Sequence, residues 1–246
     1  DSNVVDSVSK SAWFDTVEAA NEAYRPGRFT TFAAYEYTPS TAELGNLHRN
    51  VIFRGTDHLP AVPFSRLNSI DPAGLWDWMD KLRGQGIESL AIPHNSNGSN
   101  GAMFAFTDFT GNTIDKDYAE RRIRNEPLVE ITQAKGTSDT HPLLSPNDEW
   151  GNFEIYPLRV GTALPSVAPG GYVRDAWQRG LAIAETHNAN PYKFGVIGSS
   201  DTHTAAASLA EDNHFGKVGV MDDSAEKRGS VPASFFYGTL VKLAMP

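Results

Sequence analysis

Apolar residues along the chain fall into short clusters whose spacing switches between that of a helix and that of a strand. Helical spacing and helix-start signals predict helices at residues 13–24, 71 to 84 or 86, 115–124 and 172–184. Short apolar runs predict strands at residues 29–37, 46–54, 90–92, 128–131, 194–197 and 217–220. Because strands and helices alternate, the sequence favours an α/β fold with a parallel sheet.

Local signals mark the ends of these elements. Ser11 is the predicted N-cap of the first helix, and Asp71 followed by Pro72 marks the start of the second. The longest stretches rich in Gly, Asn and Pro are residues 95–113 and 136–170. Each is followed by further elements of the same kind, so we interpret them as insertions at the loop face and residues 1–246 as one domain.

Composition excludes several classes of protein. The 246 residues carry a formal net charge of -9 and no run of Lys or Arg, so nucleic acid is not an expected partner. No apolar run approaches the roughly 18 residues of a membrane-spanning helix. The absence of cysteine excludes disulfides and thiolate zinc sites. This composition is compatible with the cytoplasm, the periplasm or secretion, so the compartment stays open.

Several carboxylates and imidazoles lie beside the ends of predicted strands. In a (β/α) barrel the carboxyl ends of the strands open onto one face, so residues distant in sequence meet in one pocket. Histidine, aspartate and glutamate without cysteine are typical ligands of a catalytic Zn, Mn or Fe centre. The predicted metal ligands are Glu36, His48, His94, Glu130, Asp201 and His203.

Several of these carboxylates, and the other histidines of the chain, have a structural interpretation as well as a functional one. Glu36 and Glu130 are either ligands or carboxylates satisfied within their strands. His141 is either a surface residue or a secondary ligand, and the histidines at 187 and 214 are interpreted as hydrogen-bonded core residues.

Two cations adjoin the predicted ligands. Arg49 and Lys135 are candidate clamps for a phosphate group of a substrate, because arginine offers a planar fork and lysine a point charge. The equally weighted alternative for both is a salt bridge to a ligand carboxylate.

Five segments together resemble one family. They are Tyr35-Glu36-Tyr37-Thr38, the stretch 46–54 (NLHRNVIFR), Ile92-Pro93-His94-Asn95, the stretch 130–136 (EITQAKG) and the stretch 198–203 (GSSDTH). In this order they are similar to the PHP (polymerase and histidinol phosphatase) superfamily of metal-dependent hydrolases, in the branch catalogued as a domain of unknown function. The resemblance implies a distorted (β/α)7-type barrel with up to three metal ions. It implies ligand roles for Glu36, His48, His94, Asp201 and His203, and matches Glu130 less closely.

The chain departs from that superfamily at its start. The superfamily opens with a His-x-His element, whereas no two of the seven histidines here are separated by one residue. We therefore expect the chain to be a fragment of a longer protein with an incomplete barrel. The missing strand would come from an upstream segment or a second chain, and the open edge and uncovered apolar surface would favour association.

These observations predict a metal-dependent hydrolase. Two or three divalent ions would activate water and neutralise the charge on a small-molecule substrate such as a phosphate ester, as in a phosphoesterase. The alternative is a non-catalytic ligand-binding module that keeps a PHP-like barrel with a degenerate metal site.

Overall fold

Strands and helices follow one another along the chain much as the hydrophobic pattern predicts. The structure is a computed structural model that describes residues 2–203, 213, 216–217 and 224–230. The elements are, in chain order, α1 (Ser2–Ala23), β1 (Ala34–Tyr37), β2 (Arg49–Phe53), α2 (Pro72–Arg83), β3 (Ser89–Pro93), α3 (Lys116–Asn125), β4 (Leu128–Gln133), β5 (Gly136–Thr137), α4 (Val173–His187), β6 (Gly195–Gly198) and α5 (Ala225–Ser230). A single 3-10 turn, Ser96–Gly98, follows β3.

The predicted helix starts are confirmed where a capping side chain is present. The carboxylate of Asp71 accepts a hydrogen bond from the Ala73 N–H at 2.9 Å, and that of Asp115 accepts one from the Tyr118 N–H at 2.8 Å. The predicted start of α1 is wrong, because Ser11 lies well inside a helix that begins at Ser2. Residues 2–10 are mostly polar, and most of residues 7–10 are exposed, so hydrophobic spacing gives no sign of that first part of the helix.

The first sheet has the strand order β1-β2-β3 and is antiparallel throughout. This corrects the prediction of a parallel sheet for this half of the chain. No helix separates β1 from β2, so β2 returns beside β1 without the crossover that parallel pairing needs. The first strand is also shorter than predicted, because only residues 34–37 of the apolar stretch pair with a neighbour.

The second sheet has the order β5-β4-β6, in which β4 and β6 are parallel and the two-residue β5 is antiparallel. The predicted strand at 194–197 is confirmed within one residue, but it is more exposed than expected, since Val196 keeps 39% of its surface accessible. The predicted strand at 217–220 lies, apart from Lys217, outside the described residues. Among the described strands the two sheets are separate, and they form no closed barrel.

Two hydrophobic cores hold these layers together. One packs α1 and α2 on the first sheet, through side chains that include Trp13, Val51 and Met79. The other packs α3 and α4 with β4, through side chains that include Ile114, Val129 and Ile183. Strands β3 and β4 contact each other, so the two sheets lie side by side. Within the part of the chain that the structure describes, no helix is long and apolar enough to cross a membrane.

Candidate metal centre

Three predicted ligands meet at one end of the first sheet. Glu36 lies in β1, His48 directly precedes β2 and His94 directly follows β3. The antiparallel register pairs Tyr37 with Arg49 and Arg49 with Pro93, so the last residues of β1 and β3 lie beside the first residue of β2. Sheet register therefore brings together three side chains that are far apart in sequence.

The three side chains share one carboxylate oxygen. Oε1 of Glu36 lies 2.9 Å from Nδ1 of His48 and 2.9 Å from Nε2 of His94. The three ligand atoms all lie within 4.8 Å of one another. Ligands around one metal ion at ~2.0–2.2 Å would be roughly 3–3.5 Å apart, so small side-chain movements suffice to hold an ion here.

Electrostatics favours the metal-binding protonation states of Glu36 and His48. Burial opposes the charge on Glu36, but the hydrogen bonds and charges of His48 and His94 outweigh it and hold the pKa of Glu36 well below its usual range. Burial lowers the pKa of His48, and the opposing attraction of Glu36 does not restore it. A carboxylate beside a neutral imidazole is the state in which both side chains bind divalent ions.

Two buried polar atoms of predicted ligands have no hydrogen-bond partner among the described residues. They are Nδ1 of His94 and Oε1 of Glu130, and both residues are almost completely buried. Burial raises the pKa of Glu130 to about 7; the charge of Asp201 acts in the same direction, and those of His94 and Lys135 oppose it. Because unsatisfied buried polar atoms are costly, this donor set fits a centre that binds a cation.

Asp201 lies beside the group but has other partners. Its φ is 56°, an uncommon value for a residue other than glycine, and Oδ2 pairs with the ammonium groups of Lys135 and Lys217. Burial opposes its charge, but these lysines hold the pKa of Asp201 below its usual value. His203 is exposed, and its Nδ1 lies 2.7 Å from the backbone oxygen of Asp201. Neither residue belongs to the group formed by Glu36, His48 and His94.

A family model described as "Protein of unknown function (DUF3604)" matches residues 1–239. The chain belongs to this family. No curated protein and no solved structure matches the chain at a significant level. The DUF3604 match spans both sheets and all six predicted ligands, and its description assigns no activity.

The two predicted phosphate clamps of this DUF3604 protein lie in different places. Arg49 lies on the opposite face of β2 from Asn50, and its Nε donates to Oε1 of the buried Glu126 at 2.9 Å. This internal ion pair fits neither the predicted phosphate contact nor a salt bridge to a predicted ligand. Lys135 pairs with Asp201, which is the contact of its alternative interpretation.

The remaining predicted histidine roles have mixed outcomes. His187 is exposed at the last position of α4, so its interpretation as a core residue is wrong. The apolar face of α4 runs through Ile183 and does not include this position. His141 is partly buried and packs against the ring of Tyr172, with ring centroids 5.5 Å apart. His214 lies outside the described residues of this DUF3604 chain.

Sequence reasoning missed several residues that support the centre. The side chain of Asn46 donates to the His94 carbonyl at 2.8 Å, and that of Asn97 donates to the Lys135 carbonyl at 2.9 Å. Asn95 adopts the left-handed backbone conformation, with φ of 53°. The clustering of asparagine around His94 was the available signal, because asparagine tolerates this conformation. Nothing in the sequence singled out Lys217 as a partner of Asp201.

Proposed function

We propose that this DUF3604 protein is a metal-dependent hydrolase that acts on a small phosphate ester. The observation that carries the proposal is the group of Glu36, His48 and His94, with three ligand atoms within 4.8 Å. The similarity of the surrounding segments to the PHP superfamily supports the same reaction class. A divalent ion such as Zn, Mn or Fe would lower the pKa of a bound water and offset negative charge on the ester.

The side chains have distinct roles in this proposal. Glu36, His48 and His94 hold the ion, and the buried carboxylate of Glu130 supplies a further oxygen ligand. Asn46 fixes the backbone at His94 and so orients its imidazole. The contacts of Asp201 with two lysines favour fewer ions than the three that the resemblance implies. Its predicted ligand role and that of His203 stay predictions.

A non-catalytic binding module is the second candidate function. One observation favours it: among the described residues, only one group brings three ligand atoms within 4.8 Å. A centre with a single ion and no turnover would satisfy this arrangement. Activity separates the two candidates, because both bind metal but only the hydrolase releases product.

Metal content and hydrolysis measured on the same protein test the proposal. We expect wild-type protein loaded with Zn or Mn to retain metal through gel filtration and to hydrolyse p-nitrophenyl phosphate. Glu36→Gln and His94→Ala should lose most of the metal and the activity, since each removes a ligand atom. His187→Ala and Glu185→Gln are matched controls on the exposed surface of α4 and should behave as wild type. Full metal retention in both ligand variants would contradict the proposed centre, and metal binding without hydrolysis of any phosphoester would favour the module.

A further inference from the structure

A second group of charged residues lies beside the candidate metal centre and is built from two lysines and one aspartate. Oδ2 of Asp201 pairs with Nζ of Lys135 and, at 2.7 Å, with Nζ of Lys217. The side chains of the two lysines are 3% and 5% exposed, and that of Asp201 is 15% exposed. Lysine is rarely buried to this degree, so two such side chains at one carboxylate oxygen require an explanation.

The backbone fixes both lysines in place. The Lys135 N–H donates to the side-chain oxygen of Gln133, and its carbonyl accepts from Asn97 at 2.9 Å. Gly136 then has φ of 88°, and a Cβ there would lie 2.5 Å from the Glu154 carbonyl oxygen, so only glycine fits the turn. The carbonyl of Lys217 accepts from the His203 N–H at 2.7 Å, which ties it to the loop of Asp201.

This group adjoins the residues that we propose to hold metal. Lys135 lies close enough to His48 and Glu130 for its charge to lower the pKa of both. Asp201 also lies close enough to act on Glu130, whose pKa it raises. Two ammonium groups held together by one carboxylate present several N–H donors with fixed positions. Donors of this kind, next to a divalent ion, suit the non-bridging oxygens of a tetrahedral oxyanion.

We propose that Lys135 and Lys217, held side by side by Asp201, form an oxyanion seat that binds the tetrahedral anionic group of the substrate beside the metal ion. This proposal rests on the proposed function and deepens it, because it names the residues that bind the anionic group of the substrate ester. Phosphate and sulfate esters share this chemistry. Asp201 then acts as a positioning residue, because it orients the two ammonium groups.

Binding of inorganic phosphate to the zinc-loaded protein tests the seat, with titration calorimetry as the readout. We expect Lys135→Gln and Lys217→Gln each to weaken phosphate binding at least about tenfold, since each removes a charge-assisted hydrogen bond. Zinc content should be unchanged in both variants, because neither lysine is a ligand of the metal. Lys81→Gln, at an exposed position of α2, is the matched control and should bind phosphate as wild type does.

Affinities within twofold of wild type in both lysine variants would overturn the proposal, and so would absence of phosphate binding by the wild type. Inorganic sulfate titrated in parallel distinguishes the two ester classes. Tighter binding of phosphate assigns a phosphate ester as the substrate, and tighter binding of sulfate assigns a sulfate ester. The outcomes also separate the two proposals. If the protein binds zinc but neither lysine substitution changes the phosphate affinity, the oxyanion seat is wrong and the metal centre stands. If the protein binds no zinc but phosphate binding still depends on the two lysines, the metal centre is wrong and the seat stands.

A second measurement avoids the variants in case they do not fold. In nitrogen-15 spectra of the wild-type lysine ammonium groups, phosphate should shift the signals of Lys135 and Lys217 and leave that of Lys81 in place. Shifts confined to exposed lysines would overturn the proposal.

Discussion

At the scale of single residues, Glu126 shows how charge is balanced inside this protein. Its Oε1 accepts hydrogen bonds from Arg49 at 2.9 Å and from Trp76 at 2.8 Å, and its Oε2 accepts one from Arg122 at 3.1 Å. All three charged side chains are almost completely buried. The carboxylate therefore satisfies two guanidinium groups that water does not reach.

Removal of this charge should destabilise the fold. We expect Glu126→Gln to lower the free energy of unfolding by about 3–5 kcal/mol, because it leaves two buried guanidinium groups without their counter-charge. Urea denaturation followed by circular dichroism measures the change. Glu120→Gln, at an exposed position of α3, the helix that Glu126 directly follows, is the control and should change stability by less than about 0.5 kcal/mol. Equal stability of both variants would show that Glu126 is not the counter-charge we describe.

The same residue predicts how stability depends on pH. Burial opposes the charge on Glu126, but the charges of Arg49 and Arg122 outweigh it and lower the pKa of Glu126 in the folded state. A lowered folded pKa means that its contribution is fully present above the ordinary value of 4.5 and is lost as pH falls through the folded pKa. In urea denaturation from pH 6 downward, wild type should therefore lose stability below about pH 4.5 more steeply than Glu126→Gln. Parallel curves for the two proteins would exclude this linkage.

At the scale of elements, features set by neighbouring residues could be predicted and features set by distant pairing could not. The starts of α2 and α3 follow from Asp71 and Asp115, whose carboxylates bond within three residues. The antiparallel order of the first sheet depends on contacts between residues far apart, which spacing does not encode. The two-residue β5 needs the positive φ of Gly136, and its length gives no periodic pattern.

The candidate site also has features that could be predicted from the sequence and features that could not. The meeting of Glu36, His48 and His94 was predicted, although at the carboxyl ends of parallel strands rather than at one end of an antiparallel sheet. The Lys135–Asp201 pair was one of two alternatives for Lys135. Lys217 as a partner of Asp201 was not predicted, and neither was Glu126 as the partner of Arg49, because an ion pair between residues 77 positions apart leaves no trace in local sequence.

Metal binding should change the dynamics of the first sheet more than those of the rest of the protein. An ion held by Glu36, His48 and His94 connects all three strands of that sheet. At a free zinc concentration about 100 times the Kd, binding stabilises the folded state by about 2.7 kcal/mol. We therefore expect amide hydrogen exchange in β1, β2 and β3 to slow by up to about 100-fold. The slowing applies to amides that exchange through opening motions in which the metal ion is released.

Hydrogen exchange with mass spectrometry measures this effect, with α4 as the internal reference. His94→Ala with the same zinc concentration is the control and should show no protection in the first sheet. Protection that is uniform over both sheets, or that persists in this variant, would place the ion elsewhere.

At the scale of the whole molecule, α1 carries an exposed apolar surface formed by Val8 and Phe14. Phe14 on α1 is 62% exposed and Val8 is 63% exposed, although Trp13 between them is buried. Strand β1 lies at the edge of its sheet, and no described strand pairs with its other side. Exposed apolar patches and open strand edges favour contact with another polypeptide.

Self-association of the 246-residue chain should therefore depend on this surface. We expect sedimentation velocity to show mass increasing with protein concentration, and Phe14→Ser to reduce that increase by removing exposed apolar area. Leu181→Ser is the control, because Leu181 is 67% exposed on α4, away from this surface. A monomer at all concentrations, or an equal effect of both substitutions, would contradict the expectation.

The register of the first sheet also constrains how the sequence can change in evolution. Glu36 lies opposite Asn50 and Tyr37 lies opposite Arg49, so neighbouring residues point to opposite faces. One inserted or deleted residue in β1 would turn the carboxylate of Glu36 toward the core, and one in β2 would turn Arg49 away from Glu126. Substitutions between similar side chains in these strands are survivable, whereas changes of length are not. Insertions and deletions should accumulate instead in loops such as 54–70, which belong to neither sheet.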